Sequence, residues 1–404
     1  MTRLEYYWAA IANGEGTVFP PVTREEHFLV LVADAYSVVL TVVTGNPALL
    51  ENSKGNRGLE SLTLYGKSTQ GSTPSPSYPQ EIENAGQSGE IGVQVYGGNL
   101  FDIRKASPWE DAYGLQMSLD GEYITVKGVT TTTRYGNISF RILGYPVNLY
   151  GNRFSLDIVK NVGTSKEYVY TSATENNLAL SVMVDAKAAV ELKFRLMVNA
   201  GSTALPYELY KPAQTLIIPT SGGLPGIRVS SGGNYTDADG QQWVCDEVDF
   251  KKGVYVQRIG KRTITSKDVF HKSGMSTDDV NYFSLGNFSL HIGTIGEKDV
   301  LMSNCFVAGI NHDFSAWGKI FLSSAFDGKV YFSVEAQKYP DEETFKQWAV
   351  ENGLMFLYQL TDIIETNLTA KGLAAYKALR TYSPTTTVIN DAGAGMSVGY
   401  AKMK

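Results

Sequence analysis

Tyr123-Ile124-Thr125-Val126, Ile138-Ser139-Phe140-Arg141-Ile142, Phe154-Ser155-Leu156-Asp157-Ile158, Leu178 to Val184 (LALSVMV) and Val190 to Val198 (VELKFRLMV) follow one another at short intervals beyond Asn99. In each run an apolar side chain returns at every second position, the period of a strand with one buried and one wet face. Asp120-Gly121 and Tyr150-Gly151-Asn152 supply turns between runs, and no amphipathic helix intervenes. This pattern predicts an antiparallel sandwich of jelly-roll type over residues 99–210. The fold class expected for the chain is mainly β, with tandem antiparallel β-sandwich (jelly-roll-like) domains behind a short α-helical N-terminal segment.

Toward the C-terminus, residues 211–404 read as a second β-rich domain. Trp243-Val244-Cys245, Gly253 to Arg258, Phe288 to Ile292 and Lys329 to Val334 are its candidate strands. Two short helices interrupt it. One runs from Asp341, its cap, to Glu351 and stops at Asn352-Gly353; the other runs from Thr369 to about Arg380.

Toward the N-terminus, Gly45 to Gly58 (GNPALLENSKGNRG) is a polar linker and Leu59 to Tyr65 a candidate strand. The loop from Gly66 to Pro79 (GKSTQGSTPSPSYP) has a composition that favours extended backbone, so residues 57–98 are expected to form a stiff β/Pro-Ser-rich tether. Residues 1–56 form the N-terminal segment. Thr2-Arg3-Leu4-Glu5-Tyr6-Tyr7 returns as Thr23-Arg24-Glu25-Glu26-His27-Phe28, and each copy has the Thr-x-x-Glu spacing of a capping box. Leu4, Tyr7, Trp8 and Ile11 make one apolar stripe on the first helix, which is too short to stand alone. The second helix enters the apolar run Phe28 to Val43, which includes Leu31 and Val32. These residues either pack on the same chain or attach the protein to a neighbouring subunit. The run falls short of the roughly 20 residues a membrane crossing needs and carries Asp34 in its middle, so no membrane span is expected.

Composition narrows the function. A chain of 404 residues with 43% hydrophobic and 19% charged residues is globular and divides into several domains. With 35 Lys+Arg against 41 Asp+Glu and no basic run, it is not expected to bind nucleic acid. Met1-Thr2-Arg3-Leu4-Glu5 does not open a secretion signal. Cys245 and Cys305 lie in no metal-ligand or redox spacing and are taken as reduced. His27, His271, His291 and His312 sit in no catalytic frame, so no enzymatic activity and no cofactor is expected, although a facing pair of carboxylates of glycosidase type remains open. Asp237-Ala238-Asp239-Gly240 reads as a hairpin turn. A helical-hand calcium loop would need Glu where Val248 stands. The polar loop KASPWEDAYG presents Trp109 and Tyr113 beside Glu110 and Asp111, flat rings next to hydrogen-bond acceptors, and is the candidate carbohydrate-binding site.

Four stretches carry a family resemblance: TRLEYYWAAIANG with PVTREEHFLVLVA, LTLYGKSTQGSTPSPSYPQEIENAG, GLPGIRVSSGGNYTDADGQQWVCDEVDFKKGVYVQRIGK, and FLYQLTDIIETNLTAKGLAAYKALRTYSPTTTVINDAGAGMSVGY. The chain resembles tail and baseplate structural proteins, of tail-tip or receptor-binding type, from phages and prophages of Gram-positive gut-type bacteria. The resemblance implies a virion protein assembled in the host cytoplasm as a homo-oligomer, a trimer being favoured. Its implied partners are other tail proteins and a host-surface glycan; a purely structural tail adaptor is the alternative. The chain departs from the family at Val30 to Val43, where the second helix is unusually apolar and β-branched.

Overall fold

The computed structural model describes residues 31–33, 58–71, 73–105, 107–108, 114–131, 136–143, 152–162, 170–174, 177–184, 187–200, 204–286, 301–309, 317–322, 329–382 and 385–400. Within them the chain is mainly β, with two α-helices among the described residues. The strand pairings are antiparallel except that of Val307–Ala308 with Lys319–Leu322, which is parallel. The strand expected at Phe288 to Ile292 lies outside the described residues.

The alternating runs become strands where the two-residue period places them: Tyr123–Val129, Gly136–Leu143, Asn152–Val162, Asn177–Val184 and Ala189–Ala200. They divide between two four-stranded sheets. One has the order Asn152–Val162, Ala189–Ala200, Tyr123–Val129, Leu115–Asp120; the other has Tyr170–Thr174, Asn177–Val184, Gly136–Leu143, Ser107–Pro108. Ile124, Val126, Leu192, Phe194, Leu196 and Val198 of the first sheet share one buried core, joined by Leu100 and Phe101.

The remaining framework is built by strands far apart in sequence. A seven-stranded sheet runs Leu31–Ala33, Gly395–Tyr400, Leu59–Tyr65, Glu247–Asp249, Val254–Thr263, Met355–Asn367, Leu301–Ser303. A three-stranded sheet sets Glu90–Gly97 between Gln214–Pro219 and Thr386–Asn390. Leu62, Leu64, Val93, Val95, Val388 and Met396 fill the core they share. Near its C-terminal end the chain thus returns to complete sheets begun before residue 100.

Two expectations are corrected here. Residues 57–98 are no tether: Leu59–Tyr65 and Glu90–Gly97 each have a neighbour on both sides. The Pro/Ser-rich loop is also tied down, since Gln70 Nε2 donates to the Ser303 carbonyl and the Gln80 N–H to that of Asn304, both at 2.7 Å. Interior strands leave few backbone groups to water, so the segment belongs to the folded body. The second correction concerns Leu31 and Val32, which lie in the strand Leu31–Ala33, paired with Val398, Ser397 and Met396. Aliphatic residues with a β-branched neighbour suit a sheet edge that offers unpaired backbone groups, and there tertiary context outweighs the helical pattern.

Both helices downstream form as the caps predict. The Asp341 side chain accepts from Thr344 N–H ahead of α1 (Glu342–Glu351), and Thr369 does the same for Gly372 ahead of α2 (Ala370–Ala378). Helix α1 seats Phe345 and Ala349 on the sheet of Val280–Leu285 and Val330–Glu335, with Phe345 stacked 5.0 Å from Phe283. Helix α2 buries Tyr376, whose hydroxyl donates to the Leu59 carbonyl at 2.9 Å. No helix among the described residues is long and apolar enough to cross a membrane.

Candidate functional site

Alternation has a second consequence in the sheet that carries Arg195. Ile124, Leu192, Phe194 and Leu196 turn into the core. Tyr123, Lys193, Arg195 and Asp157 therefore stand on the opposite, outward face. Register places Asp157 directly across from Arg195. Arg195 Nε donates to Asp157 Oδ2 at 2.8 Å, and Nη2 bonds the same oxygen. Nη1 lies 3.5 Å from Glu122 Oε1 on the adjoining turn. The guanidinium stands 4.1 Å from the Tyr207 ring centroid, and the Tyr207 hydroxyl donates to Glu122 Oε2 at 3.0 Å. Beside them Lys193 Nζ is 4.4 Å from the Tyr123 ring and 3.6 Å from Asp120 Oδ2.

Tyr207 reaches this face from an irregular segment that is held at several points. The Leu205 N–H donates to Asn199 Oδ1 at 3.3 Å, Asn99 Nδ2 to the Glu208 carbonyl at 2.9 Å, and the Gly98 N–H to the Glu208 carboxylate at 3.2 Å. The Asp157 hydrogen bond pushes the Arg195 guanidinium up, while burial, followed by the Glu122 bond, pushes the Tyr207 phenol up. At neutral pH the face thus presents a cation at Arg195 and a neutral phenol at Tyr207, set beside the Asp157 and Glu122 side chains. The side chains stay open to solvent, at 27% for Arg195, 29% for Glu122 and 40% for Asp157. Chemically this is a hydrogen-bonding and stacking surface.

A second polar cluster is buried. Asp246 Oδ1 accepts the N–H groups of Arg258 and Ile259 at 2.7 and 2.8 Å, and Oδ2 accepts the Tyr255 hydroxyl at 2.5 Å. Next to it Arg258 Nη2 pairs with Glu247 at 3.1 Å, and Asn234 bonds Glu247 and both backbone groups of Cys245. Lys67 Nζ lies 3.7 Å from Asp237 Oδ2 and 5.2 Å from the Trp243 ring, while Trp243 Nε1 donates to the same carboxylate at 2.8 Å. Asp237 also closes the turn it was expected to make, since the Gly240 N–H donates to its carbonyl at 3.0 Å. With their hydrogen-bonding atoms turned on one another, these groups act as a structural lock on the hairpin.

The cysteines are free and buried. Burial pushes both thiols up, Cys305 to about 12, so neither is a thiolate nucleophile at neutral pH. Among the described residues no group of three or more His, Cys, Asp or Glu side chains could hold a metal ion.

Of the residues singled out in the sequence, Trp109, Glu110, Asp111 and Tyr113 lie outside the described residues, as do Leu4, Tyr7, Trp8, Ile11 and Phe28. Leu31 and Val32 are strand residues, as described above. The outward face around Arg195 escaped the sequence reading. Its signal was present, because Asp157, Lys193 and Arg195 are the polar positions of strands already recognised by their apolar ones. The pairing that brings them together was not.

No family model matches the chain, and no match to it is found among curated proteins or solved structures.

Proposed function

We propose that this chain is a non-enzymatic structural protein of a phage or prophage tail tip or baseplate, and that it contributes to attachment at a host-surface glycan. In this reading the two four-stranded sheets of residues 107–200 are the faces of one jelly-roll-like sandwich, and the sheets that follow form the second β-rich unit. The N-terminal residues dock the protein into a homo-oligomer, a trimer being favoured, and onto other tail proteins. The particle is assembled in the host cytoplasm and the protein remains in the virion.

The observation that carries the attachment role is the outward face of Tyr123, Asp157, Lys193, Arg195 and Tyr207, which combines ring surface with fixed donors and acceptors on a rigid sheet. The resemblance of four stretches of the sequence to tail and baseplate proteins supports the setting. In this reading the buried thiols and the internally satisfied cluster around Asp246 serve packing and structure. Labelling the protein in intact particles tests the proposal: density at the distal tip is expected, and absence of the protein from purified particles would overturn it.

A further inference from the structure

We infer that the outward face centred on Arg195 is a subsite for an uncharged pyranose presenting neighbouring hydroxyls, an inference that rests on the attachment role proposed above. Three features of the face lead there. First, Arg195 and Asp157 lie side by side as donor and acceptor, with Glu122 next to them. A sugar hydroxyl both donates and accepts, so two adjacent hydroxyls meet a guanidinium and a carboxylate at once, in charge-assisted bonds. Second, the rings of Tyr123 and Tyr207, both half-buried, flank the cations and offer apolar surface to the C–H faces of a pyranose. Third, the face is charge-balanced, with Asp120, Glu122, Asp157 and Glu191 set against Lys127, Lys160, Lys193 and Arg195, so it offers no net cationic field to polymers rich in carboxylate or phosphate.

The side chains are also held before any ligand arrives. Tyr207 is fixed through Glu122 and its tethered segment, and Arg195 through Asp157. Binding therefore orders few rotamers, and that spares affinity. An exposed ion pair by itself contributes little to stability, so a change at Asp157 separates the ligand role from a purely structural one.

The experiment is calorimetric titration of the full-length chain with maltohexaose, laminarihexaose and mannohexaose, with hexagalacturonate as the charged counterpart. Saturable binding of at least one neutral oligosaccharide is expected, with hexagalacturonate at least about tenfold weaker. Asp157→Asn should weaken binding by about tenfold without moving the thermal midpoint, and Tyr123→Ala should weaken binding by a similar factor. Failure of all three neutral probes, preference for hexagalacturonate, or unchanged binding by Asp157→Asn would overturn the assignment. Sedimentation with Gram-positive cell walls separates the two levels. If the chain still co-sediments when the neutral probes fail, the subsite is wrong and the attachment role stands; if neither occurs, both fall.

Discussion

Asp246 Oδ1 accepts the backbone N–H of Arg258 at 2.7 Å, at the position where the pairing of Val254–Thr263 with Met355–Asn367 shifts register between Gln257 and Ile259. A bulge leaves an N–H without its ladder partner, and a buried carboxylate supplies the acceptor. Burial holds this carboxyl at about 6, above its ordinary 3.8, against the opposing pull of the Tyr255 hydroxyl and the two N–H groups. The folded chain then keeps a proton that the unfolded chain gives up more readily. The stability this provides is complete below about pH 4 and is lost as pH rises through 6. Asparagine cannot titrate, so the stability of the natural protein relative to Asp246→Asn should fall by roughly 2 to 3 kcal/mol between pH 4 and pH 7. Urea unfolding across that range measures it, and a constant difference would refute the linkage.

Asp237 gathers three donors: Trp243 Nε1, Gln241 N–H and the Lys67 ammonium. Asp237→Ala leaves the indole N–H and a buried cation without this carboxylate, and should destabilise by about 3 to 5 kcal/mol. Asp239→Ala, an exposed position two residues on in the same turn, should stay within about 0.5 kcal/mol. Thermal melts of the two variants compare them directly, and equal effects would refute the lock.

Gly66 and Gly226 bring two backbones into contact. A Cβ on Gly226 would sit 2.2 Å from the Gly66 carbonyl oxygen, and one on Gly66 would sit 1.9 Å from that of Pro225. Neither neighbour is a flexible side-chain end, since the Gly66 N–H donates to the Asp246 carbonyl and the Asp246 N–H to that of Pro225. Gly226→Ala should therefore cost at least about 2 kcal/mol. A melting temperature equal to that of the natural protein would show that the approach can relax.

Removal of residues 1–30 spares Leu31–Ala33 and its pairing with Gly395–Tyr400. If the N-terminal stripe of Leu4, Tyr7, Trp8 and Ile11 holds copies together, the truncated chain should run as a folded monomer while the full chain runs as an oligomer. Light scattering with circular dichroism decides it. The same oligomer from both chains would place the interface elsewhere.

Much of the local structure was legible in the residues themselves. The two-residue period marked Tyr123–Val129 and Ala189–Ala200, and Asp341 and Thr369 marked the starts of the helices, because alternation and capping are decided within a few residues. The same period implied which face Asp157 and Arg195 would occupy. Tertiary structure alone decided that they stand opposite each other, that Glu90–Gly97 lies between strands from residues 214–219 and 386–390, and that Leu31–Ala33 joins a sheet edge. Strand pairing depends on which distant segments complement each other, and closing a longer loop adds only slowly to its entropic cost. Short-range pattern therefore fixes what becomes a strand, while the choice of partner, and with it the exposed face around Arg195, is settled only when the whole chain packs.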